Sequence, residues 1–315
     1  MIIKESNKAE LNQADLNIAE INNSSKTELR EWKAKLALTF AHDAYGTQLK
    51  KTSRQGPLSV QKAFYPEGQE CAHIYLLHPP AGIVSGDELT VEINLQEKSH
   101  VLMTTPGANR FYRAREDTSI GHSKQTQITS LLLGDDAVVE NFPQEVIVYE
   151  GADGFNTVDI HLKKTSIYLG WDISCLGLPS SDQPFNQGKY TQLSRLYCDN
   201  TLIYHDRIEI SPQNKLLHHI AGLASKPVFG TFLVYAPTQL TIIKDRKSMV
   251  EALRKIIDDE NAQQLISITD IKGLFVIRYL GEQAYQCKNL FIKLWQYLRP
   301  LIIQSTGIEP RIWHT

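Results

Sequence analysis

Apolar and polar residues alternate through much of this chain with the period of strands. Leu89-Thr90-Val91-Glu92-Ile93-Asn94-Leu95 is the plainest run. Leu89, Val91, Ile93 and Leu95 fall on one side and Thr90, Glu92 and Asn94 on the other, which is a strand with one buried face. Ile74–Leu77, Val101–Thr105, Ala137–Glu140, Val146–Tyr149, Val158–Leu162, Ile167–Trp171, Leu193–Tyr197 and Leu202–Ile210 also read as strands. They are short, frequent and punctuated by Gly, Pro, Asp and Asn, so the predicted body is mainly β, built from many short strands. No fixed-period repeat accompanies them, and the pattern alone leaves sandwich, barrel and solenoid open.

The helical period gathers late. Leu216–Ala224 reads as a short helix. Ser248–Asp258 carries Val250, Leu253, Ile256 and Ile257 on one face, and Glu282–Leu298 spaces Cys287, Leu290, Phe291, Leu294, Trp295 and Leu298 three and four apart. Leu265–Ile268 and Leu274–Tyr279 are predicted strands between the last two helices. The order strand–helix–strand–strand–helix suits a C-terminal α/β cap, with the β-rich body at about 31–240 and the α/β part at about 241–315. Residues 1–30 are polar and free of aromatics, with weak helical spacing at Leu11, Leu16, Ile18 and Ile21, and are expected to form a mobile extension.

The chain has 315 residues, 42% hydrophobic and 22% charged, enough for a sizeable core. A net charge of −2 does not point to nucleic acid or a membrane surface. No apolar run reaches membrane-spanning length and no signal peptide is evident, so a cytoplasmic location is expected. Cys71, Cys175, Cys198 and Cys287 lack metal-site or redox spacing and read as free thiols.

Catalytic patterns are missing. Gly188-Lys189 is followed by Tyr190, which breaks a phosphate loop. Gly82-Ile83-Val84-Ser85-Gly86 puts its serine against the second glycine with a strand after it, unlike a nucleophile elbow. His218-His219 diverge on a helix, and His73 and His78 fall on opposite faces of a regular strand, so neither pair makes a good metal site. Lys50, Lys51, Arg54 and Lys62 form a small basic group that reads as a solvated edge or a contact for an acidic partner. From Gln125 to Leu162 there is no Lys or Arg but seven acids: Asp135, Asp136, Glu140, Glu145, Glu150, Asp153 and Asp159. Such a stretch attracts cations, though a solvated acidic face or a dock for a basic partner is the plainer reading.

The most specific stretch runs His78-Pro79-Pro80-Ala81-Gly82-Ile83-Val84-Ser85-Gly86-Asp87 and resumes at Thr104-Thr105-Pro106-Gly107-Ala108-Asn109-Arg110-Phe111-Tyr112-Arg113. With Gln55–Lys62, Phe64–Glu67, Phe142–Glu145, Gly170–Asp172, Cys175–Gly177 and Pro310–Thr315, it resembles the UreD family of urease accessory proteins, called UreH in some organisms. The resemblance runs from about Trp32 to the last residue. Ala81 and Asn109 stand where that family usually has glycine and threonine.

The resemblance implies a β-solenoid-like body and a non-catalytic scaffold that binds apo-urease and the helical partner UreF, which recruits the GTPase UreG. Nickel would pass transiently, with no stable site and no cofactor. The residues it singles out for the partner surface are His78, Gly82, Gly86, Asp87, Thr104, Thr105, Arg110, Tyr112 and Arg113. The acidic stretch and the motif turn supply the residues expected on a transient nickel path: Asp135, Asp136, Glu140, Glu145, His78 and Asp87. The rival expectation is a metal-dependent or serine-type hydrolase on a β-rich scaffold.

Overall fold

The computed structural model describes residues 31–237 and 246–314, and the extension expected at 1–30 lies outside them. The strands are β1 (Trp32–Asp43), β2 (Gly46–Gln55), β3 (Ser59–Val60), β4 (Cys71–Leu77), β5 (Asp87–Leu95), β6 (His100–Thr104), β7 (Asn109–Phe111), β8 (Gln125–Leu133) and β9 (Val138–Phe142). They continue as β10 (Val146–Val148), β11 (Asp153–Leu162), β12 (Ile167–Leu176), β13 (Lys189–Cys198), β14 (Thr201–Ile210), β15 (Val228–Tyr235), β16 (Ile266–Ile271) and β17 (Leu274–Gly281). Helices α1 (Arg246–Asp259) and α2 (Ala284–Ile303) complete the set, so the described chain is mainly β.

Successive long strands fall into two sheets by turns. β1, β5, β8, β11 and β13 pair in parallel, with β2 and β14 as antiparallel edges. β4, β6, β9 and β12 make the parallel part of the second sheet. β15, β17 and β16 extend that sheet antiparallel, and β3 closes its other side. The chain thus crosses between sheets and lays each pass beside the last. β7 and β10 add a short parallel ladder against the end of β12. Among the described residues each sheet keeps free edges, β2 and β14 in one and β3 and β16 in the other, so neither closes into a barrel.

Alternation along β12 explains the layering. Tyr168 and Leu176 enter the core between the sheets, while Ile167, Leu169, Trp171 and Ile173 enter a second core beneath the helices. The second sheet is therefore covered on both faces, the usual condition for parallel strands. Its helix-side core is aromatic: Phe142 stacks on Trp171 at 4.1 Å, with Trp295 at 5.3 Å and Trp313 at 6.2 Å from Phe142.

The structure departs from the sequence reading in two helical segments. Leu216–Ala224 forms successive turns rather than a helix. The Asn214 side chain takes the Leu216 amide at 3.0 Å, and the chain folds back so closely that a Cβ on Gly222 would lie 2.2 Å from the Leu216 carbonyl. α2 runs past Leu298 to Ile303, through Pro300, which brings Arg299 into the core. β15 to β17 prolong the second sheet.

The motif turn and the cavity between the sheets

The turn between β4 and β5 is held by its own backbone. The Ala81 amide donates to the His78 carbonyl at 2.7 Å, and the Asp87 amide to the Val84 carbonyl at 3.1 Å. The Asp87 carboxylate accepts the Val84 amide at 3.1 Å, although burial pushes its pKa up. Gly86 has φ +90°, and Ala81 has φ +58° in a region that favours glycine. Ala81 thus bears strain where the UreD family usually has glycine. Ala81→Gly should raise stability by about 0.5–1 kcal/mol, read from the urea midpoint. An unchanged or lower midpoint would show that the turn stores no strain there.

The motif and the Thr104–Arg113 block form one unit. The Ile83 amide donates to the Arg110 carbonyl at 2.7 Å and the Tyr112 amide to the Ile83 carbonyl at 3.1 Å. Buried Gln125 joins them, its amide donating to the Ile83 carbonyl at 2.7 Å and to the Tyr112 carbonyl at 2.8 Å. Gly82 lies so flat on the Tyr112 ring that a Cβ would come within 2.2 Å of it. Thr104 donates to the Phe142 carbonyl at 2.6 Å and accepts the Trp313 indole at 2.8 Å. Thr105 donates to the Gly107 carbonyl and accepts the Gln144 amide at 3.0 Å. Arg110 reaches the Ala81 carbonyl at 3.2 Å, and Arg113 is exposed beside Glu116. Ser85 is buried and its hydroxyl accepts the Arg115 amide at 2.8 Å, which makes it a turn-holding serine.

These loops border a cavity of about 400 Å³ between the sheets. His78, Ala81 and Thr105–Arg110 line it near the surface, Leu36, Leu89, Val91 and Val158 wall it, and Asn141, Asn156 and Asp172 bring polar atoms into it. Burial raises the Asp172 carboxyl to about 7, opposed by a weak contact from Ser194 at 3.5 Å. The folded pKa lies above the unfolded value near 3.8, so the fold pays more as pH rises from that value through about 7. Asp172→Asn should therefore be more stable than the parent at pH 8 by about 1–3 kcal/mol and lose that advantage near pH 4. Equal urea midpoints at both pH values would contradict this.

A second polar centre was not legible in the sequence. Arg299, fully buried on α2, sits between Glu67 in the β3–β4 loop and Glu140 on β9, at 2.6 and 3.0 Å. Its other nitrogen donates to the Thr306 carbonyl at 2.7 Å. His73 reaches Glu67 at 2.7 Å, His100 reaches Glu140 at 2.8 Å, and the Trp295 indole donates to Glu140 at 2.6 Å. Burial opposes ionisation of Glu140, but His100 and Arg299 hold its pKa down to about 2. Cys71 lies among these groups, its pKa raised by burial and then by the two carboxylates. The donor atoms of Glu67, Cys71 and His73, and those of Cys71, His100 and Glu140, lie within 4.8 Å of one another, with the guanidinium as the positive charge among them.

The structure does not gather the acidic stretch. Asp135 and Asp136 are exposed on the β8–β9 turn, Glu140 is sealed against Arg299, and Glu145 is half-buried before β10. Glu150 accepts the Asn186 amide, Asp153 accepts the Ser123 hydroxyl, and Asp159 pairs with Arg195. Of the six residues expected on a nickel path, His78 lines the cavity and Asp87 is spent on its own turn. His73 is buried in β4, whereas His78 lies just beyond that strand.

Among the described residues no helix is long and apolar enough to cross a membrane. The family model described as UreD urease accessory protein matches residues 33–314. The chain is 62% identical over 291 residues to the urease accessory protein UreD of Psychromonas ingrahamii, covering 90% of this chain and 94% of that one. It is 40% identical to UreD of a Marinomonas species, covering 90% of each chain, and 34% identical to UreD of Hahella chejuensis, covering 93% and 94%. These relatives are named urease accessory proteins, and the chain is accordingly a non-catalytic assembly factor with a role in urease maturation. A match of this extent, joined to a motif turn and a Thr104–Arg113 block that fold as one unit, places the chain in the UreD family of urease accessory proteins.

Proposed function

We propose that the chain is a cytoplasmic scaffold that holds apo-urease and UreF, recruits UreG through UreF, and assists nickel insertion into urease. The observation that carries this is the coupling of the motif turn to the Thr104–Arg113 block. Two loops distant in sequence build one surface, and no nucleophile or phosphate loop motif accompanies them. Nickel is cargo in this reading. Its transient donors are the accessible groups, Asp135, Asp136, Glu145 and His78, while Glu140 stays with Arg299 and Asp87 with its turn. We read the alternation of strands between sheets as the solenoid-like winding the family resemblance implies, and α1 and α2 as its cap.

The test is a pull-down of the tagged full chain co-expressed with urease subunits, UreF and UreG. Capture of urease and UreF, with UreG retained only when UreF is present, is expected. Capture of UreG without UreF, or no capture of urease, would refute this arrangement.

A further inference from the structure

The edge strand β2 is covered at its start and bare along the rest. The Thr47 amide donates to the Gln69 carbonyl at 2.9 Å, and the Thr47 carbonyl accepts the Tyr65 hydroxyl at 2.9 Å. From Lys50 to Gln55 every residue is exposed, and among the described residues the strand pairs with β1 alone. One row of backbone N–H and C=O groups therefore faces outward over about 20 Å. The chain then turns at Gly56, φ +76°, into β3, the free edge of the second sheet, with Lys62 just beyond it. Lys50 is engaged by Asp43 and Gln48 at 2.6 and 2.7 Å. Among the described residues Lys51, Arg54 and Lys62 have no carboxylate partner. Lys51 stands opposite Thr39 and Arg54 opposite Leu36, so the two side chains rise on opposite faces of the sheet.

We propose that the Lys50–Gln55 edge accepts an acidic, extended segment of a partner protein as an eighth strand of the first sheet. The open backbone row supplies the pairing, and two carboxylates three residues apart meet Lys51 and Arg54, one on each face. A second copy of this chain is a poor occupant. β2 laid on β2 sets Lys51 and Arg54 against like charges. At the other free edge, β14, the acids are already taken, Asp206 by Arg278 and Glu209 by Arg207. Lysine on an edge strand discourages indiscriminate pairing; here the same charges select the sign of the strand that is admitted. The proposal stands independently of the maturation role.

The full chain is titrated calorimetrically with the end-capped peptide Thr-Glu-Val-Val-Glu-Thr, whose sequence reads the same in both strand directions. It should bind with Kd of about 0.1 mM. Thr-Glu-Pro-Pro-Glu-Thr keeps the charge but cannot pair as a strand. Thr-Lys-Val-Val-Lys-Thr keeps the strand and reverses the charge. Each should bind at least about tenfold more weakly. The variant Lys51→Glu/Arg54→Glu should prefer the lysine peptide over the glutamate peptide. Both positions are exposed, so the fold should hold, as circular dichroism checks. Equal binding of the proline peptide would show charge attraction without strand pairing. That result, an unreversed preference in the variant, no binding of the glutamate peptide at about 5 mM, or equally tight binding of single-stranded hexathymidylate would each overturn the proposal.

Discussion

Arg299→Met is expected to be the most damaging single substitution in the helix-side core, costing about 3–5 kcal/mol. Glu67 and Glu140 would then face each other's charge in a buried space without the guanidinium between them. Methionine fills similar volume, so the loss reports charge rather than packing. The variant Glu67→Gln/Glu140→Gln/Arg299→Met should recover much of the loss, because a neutral buried set no longer carries an unpaired charge. The pH dependence has a definite sign. Glu140 is held below its unfolded value near 4.5, so its contribution is complete above that value and fades as pH falls toward about 2. Urea unfolding of the three proteins decides the matter. A loss below about 1 kcal/mol for Arg299→Met would mean that water or another cation already serves the carboxylates.

Gly82→Ala should have the largest functional effect. The new Cβ would fall 2.2 Å from the Tyr112 ring, which must swing away from Tyr149, now at a ring separation of 5.2 Å. Tyr112 is partly exposed, so the ring has room to leave and the fold should survive. The surface built by the two loops should not. At least about tenfold less urease and UreF should be captured, equivalent to 1.4 kcal/mol, with little change in urea midpoint. Adding Tyr112→Ala should relieve the clash. If Gly82→Ala captures partners as well as the parent, the motif turn lies outside the interface and the proposed surface is wrong.

The local pattern located the elements well where burial is one-sided. Leu89–Leu95 became β5 with Leu89, Val91, Ile93 and Leu95 buried, because alternation reports the face a strand turns inward. Six of the described strands, β1, β2, β3, β7, β8 and β15, are absent from the predicted set, and two of them show why. β8 opens with Gln-Thr-Gln and buries Gln125 for its hydrogen bonds, so hydropathy reads it as loop. β15 is covered on both faces and shows no alternation at all. The acidic stretch misled for a different reason. Its lack of basic neighbours holds only along the sequence; Arg195 arrives from β13 and Arg299 from α2. Asp172 and Asn156 gave no signal either, since they lie on strands of different sheets and only the fold brings both to one cavity lining.

The buried ion cluster also has a direction in time. The ribosome makes Glu67 and Glu140 long before Arg299, which follows Glu140 by 159 residues. The strands of the second sheet can therefore meet while their outer face is bare and its carboxylates lack their cation. Until α2 emerges and settles, water and the neighbouring His73 and His100 attend that charge, and the aromatic face around Phe142 and Trp171 stays open to wrong contacts. A nascent chain stalled before α2 is thus the species most exposed to aggregation during synthesis.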